Sequence, residues 1–282
     1  MNRVACDPEV GAAARALGAS WPDAEVAVVL GSGLGNCLPP LDGERRCAYA
    51  EIPGLGACGV PGHAGVLQTG VLDGCRLLMF HGRRHLYEGV PMAQAALPVR
   101  LAAHLGARLV LLFSAVGGVD PALPVGSWVF VEDHLNLTGR NPLEGVSDAL
   151  GPAFVDLTHT YRTDLFAALS VVGRSLGRGV LAMFPGPSYE TPAEVRMAAA
   201  LGAGVVSMST VPEAVWARYL GLDVIALARV VNPAAGVSTQ PLCHAEVVAE
   251  AAAAAGQVPA WIRAAVAVWR DNRGNEGTRE DG

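Results

Sequence analysis

Six short apolar runs, each ending in a small or polar residue, constrain this chain more than any other feature. They are Glu25–Leu30 leading to Ser32, Arg76–Phe80 to Arg83, Leu109–Phe113 to Ser114, Gly179–Phe184 to Pro185, Val205–Met208 to Ser209 and Val224–Val231 to Asn232. Runs of this length and composition read as buried strands. Helical spacing recurs between them, over 8–19, Met92–Gly106, Asp164–Leu176, Thr191–Leu201 and about Pro212–Gly221. A last long helix starts near His244, pauses at Pro259 and ends near Arg270. Val66–Thr69 and Arg76–Phe80 predict a hairpin about Asp73-Gly74, Trp128–Glu132 a further strand, and Asp133–Phe154 a loop. Strands alternating with helices predict a single α/β domain over residues 1–270, with a central mixed, twisted sheet flanked by helices. The polar, Gly-rich stretch Asp271–Gly282 is expected to be a disordered tail. Convergent strand ends are where open α/β sheets place ligands.

Composition removes several function classes. Half of the 282 residues are apolar, ample for a buried core, and the net charge of −6 argues against nucleic acid or an anionic membrane as partner. No run of about 18 apolar residues escapes Arg, Asp, Pro or Gly, so no bilayer span is expected. Arg3, Asp7 and Glu9 come early with no apolar stretch among them, against a secretory signal. The six cysteines show neither C-x-x-C pairing nor a dense framework, which predicts reduced thiols in a cytoplasmic protein. The chain contains no lysine. Schiff-base chemistry, a P-loop lysine and a kinase strand lysine are therefore excluded together. An anion must be held by arginine, histidine, hydroxyls or backbone N–H groups.

Gly82-Arg83-Arg84-His85-Leu86-Tyr87-Glu88-Gly89 supplies such a grip. In an extended segment, residues two apart share a side, placing Arg83, His85 and Tyr87 on one face. A cationic fork beside a histidine suits an oxyanion, and the phenol suits a neighbouring hydroxyl. The alternative is a solvated basic turn. Gly31-x-Gly33-x-Gly35 after a strand suggests a dinucleotide fold, with Glu51 at the distance of a ribose ligand. The third glycine of that fingerprint would fall on Asn36, however, and Pro39-Pro40 cuts the required helix. A Gly-Ser-Gly loop offering N–H groups and the Ser32 hydroxyl to a simple phosphate fits better. His81 and His85 are four apart, but the intervening glycine and two arginines disfavour a metal site. No G-x-S-x-G elbow is present, and Asp133-His134 reads as part of a structural hydrogen-bond network. Gly186-Pro187-Ser188-Tyr189-Glu190-Thr191 joins a strand to a helix; Tyr189 could stack on a flat ring and Glu190 accept from ring N–H groups. Met208-Ser209-Thr210-Val211-Pro212-Glu213 repeats that form, with Ser209 a second anion hydroxyl.

These blocks, together with Gly62-His63-Ala64-Gly65, Ala115-x-Gly117-Gly118, Asn232 and His244, occur in an order that resembles the trimeric purine nucleoside phosphorylases from about residue 25 to 265. The resemblance implies the nucleoside phosphorylase fold and reversible phosphorolysis, in which a purine nucleoside and phosphate give free base and ribose 1-phosphate. It implies phosphate among Ser32, Arg83, His85, the Ala115 N–H and Ser209, with His63 on a gating loop. It places Tyr87 and Met208 against the ribose, His244 at its 5′-hydroxyl, and Tyr189 and Val206 against the base. Phe154 would reach a neighbour's site, making a homotrimer functional. Inorganic phosphate is then a co-substrate, with no cofactor and no metal.

The implied chemistry needs an anion beneath an anomeric carbon of oxocarbenium character and an amide, Asn232, at N7 of the departing base. Glu190 opposite N1–H favours 6-oxopurines such as inosine and guanosine, including 2′-deoxy forms, over adenosine. The catalytic set is thus Asn232, Glu190 and His85. The sequence departs from the family pattern at Ser114 and Val116, where Asn and Ala are usual, at Val231 in place of a base-side hydroxyl, at Ser207 in place of a glycine, and at Pro233. Alternative readings are a methylthioadenosine-type phosphorylase, or a catalytically weak paralogue that binds nucleoside without turning it over.

Overall fold

The computed structural model describes residues 7–35, 40–56, 64–146, 153–172, 176–238 and 244–276. The first half comprises α1 (Pro8–Leu17), β1 (Val26–Leu30), β2 (Asp42–Ala48), β3 (Val66–Leu72), β4 (Cys75–His81), α2 (Met92–Ala95), α3 (Leu97–His104) and β5 (Leu109–Gly118). Then follow β6 (Trp128–Asn136), α4 (Phe166–Val172), β7 (Leu176–Met183), α5 (Pro192–Ala200), β8 (Ala203–Ser207), α6 (Val211–Tyr219), β9 (Asp223–Pro233), α7 (His244–Ala254) and α8 (Val258–Glu276).

The nine described strands form one mixed sheet in the order β2-β3-β4-β1-β5-β8-β7-β6-β9, with β5 also paired to β9. β1 lies parallel to both β4 and β5, and β5 parallel to β9 over most of its length. The extra pairing closes β5, β8, β7, β6 and β9 into a ring at one end of the sheet.

Successive residues of the central strands feed opposite cores. Ala27, Val29, Leu78, Phe80, Val110, Leu112, Ala226 and Ala228 face one cluster with α1, α3 and α6. Val26, Val28, Leu77, Met79, Leu109, Leu111, Ile225 and Leu227 face the other, with α7 and α8. Strands covered on both faces carry no polar alternation, which explains their uniformly apolar runs. By length and composition alone, Val247–Asn272 could cross a membrane. In the fold its apolar side, including Val247, Ala251, Val258, Ile262 and Trp269, packs into the second core.

The fold differs from the sequence reading at several boundaries. β5 continues past Phe113 to Gly118, β6 past Glu132 to Asn136, and β7 starts at Leu176 rather than Gly179. The helix expected over Met92–Gly106 is two, broken at Ala96, because Pro98 has no N–H for the carbonyl four residues earlier. α8 passes Arg270 and reaches Glu276, with Asn272 Nδ2 donating to the Val268 carbonyl at 2.8 Å. β2 had no signature: Asp-Gly-Glu-Arg-Arg-Cys-Ala is an almost wholly exposed edge strand, and its charges suit an edge that must not recruit another chain. Cys47 and Cys75 are free thiols, and the other cysteines lie outside the described residues.

Candidate active site

β1 delivers Ser32 to a cavity of about 410 Å³, within the range of small-molecule sites. Gly31 is what lets the strand end come so close to β5: a Cβ there would lie 2.9 Å from the Phe113 carbonyl oxygen and 3.1 Å from Ser114 Cα. β5 contributes Ala115, Val116 and Gly117, β8 contributes Val206 and Ser207, and the turn after it Met208 and Ser209. The loop after β7 brings Pro187, Tyr189 and Glu190, β9 brings Val231 and Asn232, and α7 brings Val247.

The segment after β4 is not extended, which corrects the reading of a single strand face carrying Arg83, His85 and Tyr87. Gly82 turns the chain at φ 114, its carbonyl accepting from the buried Tyr49 hydroxyl at 2.8 Å. Leu86–Glu88 then forms a short 3-10 turn. His85 and Tyr87 reach the cavity from this turn. Arg83 does not line it: the side chain is 1 % exposed and lies behind the wall. Its Nη1 donates to Ser209 Oγ at 3.3 Å and to Glu213 Oε2 at 2.8 Å, and its Nη2 to the carbonyls of Val29 and Phe113. The guanidinium thus stands directly behind a hydroxyl that faces the cavity. Arg84 is apart from the cavity and lies 3.8 Å from Glu88.

Glu88 holds His85 from two directions. Its Oε1 accepts the His85 backbone N–H at 2.6 Å and lies 3.4 Å from the ring Nδ1. Burial, aided by Arg83, depresses the His85 pKa, and Glu88 opposes the shift. The imidazole is therefore neutral near pH 7, able to donate from one nitrogen and accept at the other. Burial also pushes the Tyr87 phenol up to about 12, with Glu88 and Tyr189 adding to the shift, so it remains a hydroxyl at any working pH.

Glu190 also lines the cavity, and burial raises its carboxyl above the ordinary range; its own backbone N–H opposes this and Glu194 reinforces it. Thr191, next after Glu190, is the N-cap of α5, and Thr191 and Glu194 cap each other (Thr191 N–H to Glu194 Oε2, 2.7 Å; Glu194 N–H to Thr191 Oγ1, 3.2 Å). This cap fixes the direction from which Tyr189 and Glu190 emerge. Asn232 Nδ2 donates to the Pro233 carbonyl at 2.8 Å, which orients the amide. Ser207 Oγ accepts the Ser209 N–H at 3.2 Å, a local turn that sets the Ser209 hydroxyl.

Ser32, His85, Tyr87, Ala115, Tyr189, Glu190, Val206, Met208, Ser209 and Asn232 therefore share one cavity. His63 lies outside the described residues, and His244 is the first residue of α7. Phe154 is wholly exposed and lines a different depression with Leu143 and Val215. Sequence reasoning did not assign Val116, Pro187 and Val247 to the site. Val247 is three residues past His244 on α7, and that helical spacing was the available signal. His134 bonds to the Tyr161 hydroxyl at 3.0 Å away from the cavity lining, in keeping with a structural network.

Polar groups suited to an anion and a carboxylate with an amide line the same cavity, a combination that calls for comparison with known proteins. The phosphorylase superfamily model matches residues 25–267. The chain belongs to that superfamily. Within the phosphorylases it is similar to the purine nucleoside phosphorylase of Mycobacterium leprae, 43 % identical over 83 % of this chain and 85 % of that one. It is likewise similar to the purine nucleoside phosphorylase of Cellulomonas sp, 45 % identical over 82 % of each. Among solved structures, the schistosoma purine nucleoside phosphorylase in complex with hypoxanthine superposes with a TM-score of 0.81 at 31 % identity, covering 92 % of this chain and 96 % of that one.

Proposed function

We propose that this phosphorylase is a purine nucleoside phosphorylase, a pentosyltransferase catalysing the reversible phosphorolysis of 6-oxopurine ribonucleosides and 2′-deoxyribonucleosides. The observation that carries the reading is that one cavity is lined by Ser32, His85, Ala115 and Ser209, the last bonded to the buried Arg83, together with Tyr189, Glu190 and Asn232. Phosphate held among the first group would sit beneath the anomeric carbon as nucleophile. Its negative charge offsets the positive charge that develops on the sugar, so placement and electrostatics supply the catalysis and no side chain becomes covalently attached.

Tyr87 and Met208 are the ribose contacts in this reading, with His244 at the 5′-hydroxyl. Tyr189 and Val206 pack on the base, and Asn232 meets N7 as the base gains electron density. Glu190 accepts N1–H of hypoxanthine or guanine. Adenine offers a lone pair at that position, so two acceptors would face one another, at a cost of about 1–3 kcal/mol or more. By the family resemblance, His63 would be a further phosphate ligand. The reading also carries a cytoplasmic homotrimer, in which exposed Phe154 reaches a neighbouring subunit's base site, and phosphate as co-substrate without a cofactor.

One assay tests this. Phosphate-dependent release of free base is measured from inosine, guanosine, adenosine and methylthioadenosine. Inosine and guanosine are expected to be cleaved with the highest kcat/KM. A higher value for methylthioadenosine or adenosine overturns the specificity, and tight nucleoside binding without product at high enzyme overturns the enzyme. Phe154→Ala, with the native mass confirmed by light scattering, should raise the nucleoside KM if the trimer reading holds.

A further inference from the structure

Glu213 has no part in the scheme above, yet it is 2 % exposed and its Oε2 lies 2.8 Å from Arg83 Nη1. Among the described residues, Arg83 is the only arginine or histidine within ion-pair distance of it. Both partners come from structure built tightly around the anion corner. Ser209 ends the turn after β8, Thr210 reverses the chain at a φ of 79, and Glu213 is the third residue of α6. Ser209 Oγ and Glu213 Oε2 are thereby brought from one strand-to-helix turn onto the same guanidinium nitrogen. Ser209 lines the cavity and Glu213 does not.

A buried guanidinium without a carboxylate would be costly to fold, and Glu213 removes that cost. It also means that a dianion arriving beside Ser209 meets a cation whose charge is already offset by a like-charged neighbour behind it. Two anions then share one arginine, and each weakens the hold of the other. Burial pushes the Glu213 carboxyl up, while Arg83 and the Thr210 backbone N–H pull it down.

We infer that Glu213 is a built-in counter-ion of Arg83, a positioning residue that competes with phosphate for the guanidinium and holds phosphate affinity down. The inference rests on the phosphorylase reading, since it takes the anion at Ser209 to be phosphate. Its functional sense is kinetic. The sugar 1-phosphate product keeps the same phosphoryl group in the same corner, and an uncompensated arginine would bind nucleophile and product alike without favouring the transition state. A counter-ion held at the back of the guanidinium orients the fork and blunts its grip together.

The test compares wild type with Glu213→Gln and Glu213→Asp. Gln keeps the shape and one acceptor for Arg83 but removes the charge; Asp keeps the charge and retracts it by one methylene. Inorganic phosphate binding is measured by calorimetry without nucleoside, and the KM values for phosphate and inosine by steady-state kinetics. Glu213→Gln should bind phosphate about 5-fold or more tightly, the size of a modest coupling between sites, with the inosine KM unchanged. Glu213→Asp should lie between Gln and wild type. A purely structural role predicts loss of stability with phosphate affinity unchanged or weakened, and that result in a folded variant overturns the inference. If Glu213→Gln does not fold, Glu213→Asp decides by the same criterion. Wild-type protein that cleaves inosine only with phosphate, alongside variants that do not tighten, sinks this inference alone. Wild-type protein without phosphate-dependent cleavage sinks the phosphorylase reading first.

Discussion

The His85 and Tyr87 rings lie face to face, with 4.8 Å between centroids and 11° between planes. They meet because the chain leaves β4 through Gly82 at positive φ and closes a 3-10 turn, with Glu88 N–H donating to the His85 carbonyl at 3.0 Å. The stack ties two groups that line the cavity, which the proposed function assigns to phosphate and to ribose. Tyr87→Phe keeps the ring and should leave kcat within a few-fold of wild type while raising the nucleoside KM. Tyr87→Ala removes a contact worth about 0.5–1.5 kcal/mol and frees the imidazole, so kcat should fall as well. Steady-state kinetics on inosine check this, and equal effects of the two substitutions would refute the coupling.

Glu190 lines the cavity from a buried position that raises its pKa, and in the proposed reading it meets the base edge. Glu190→Gln should lower kcat/KM for inosine by roughly 10- to 150-fold, the equivalent of about 1.5–3 kcal/mol for a hydrogen bond to a charged group. The amide can donate to adenine N1, so the inosine-to-adenosine ratio should shrink further than the loss on inosine alone explains. Parallel assays on both nucleosides measure the ratio. An unchanged ratio would remove Glu190 from base recognition.

His81 makes stability depend on pH. Its Nε2 lies 2.6 Å from Gln68 Oε1, and burial brings its pKa down to about 4, with Arg46 adding to the shift and Glu44 opposing it. A histidine whose folded pKa is depressed stabilises the fold fully above its unfolded value near 6.5, and the contribution is lost as pH falls toward 4. Glu190 and Glu213, with raised pKa values, act in the opposite sense. The wild type should therefore lose stability relative to His81→Asn between pH 7 and 4, by up to about 3 kcal/mol. Urea unfolding of both proteins across that range gives the difference directly, and parallel curves would exclude His81 as the source.

Gly31→Ala should be destabilising by about 1–3 kcal/mol, because the new methyl meets backbone of β5 rather than a side chain that can move aside. Phosphate affinity should weaken with it, since Ser32 follows directly. Chemical denaturation and phosphate calorimetry on the same preparation test both effects.

Much of the fold was legible because burial on both faces leaves a simple mark. β1, β4, β5 and β9 read as apolar runs of strand length, and Thr191-Pro192 announced a helix start. β2 was illegible for the converse reason: an exposed edge strand has no core face to impose a pattern, and only its hydrogen bonds to β3 make it a strand. The over-long expected helix at 92–106 failed at Pro98, where a local backbone rule outweighed periodicity.

The site divides in the same way. The residue types at the strand ends, and the order of their motifs, were sufficient to specify the phosphorylase superfamily, a cavity at the strand ends and many of the groups that line it, because backbone turns and small residues act locally. Where Arg83 points was a matter for the tertiary structure. Strand alternation placed it beside His85 and Tyr87 facing the ligand, whereas the folded chain sets it behind Ser209 against Glu213, a residue 130 positions away. No local pattern can foretell such a pair, since what joins its members is the desolvation of a guanidinium that must find a carboxylate wherever the packed chain provides one.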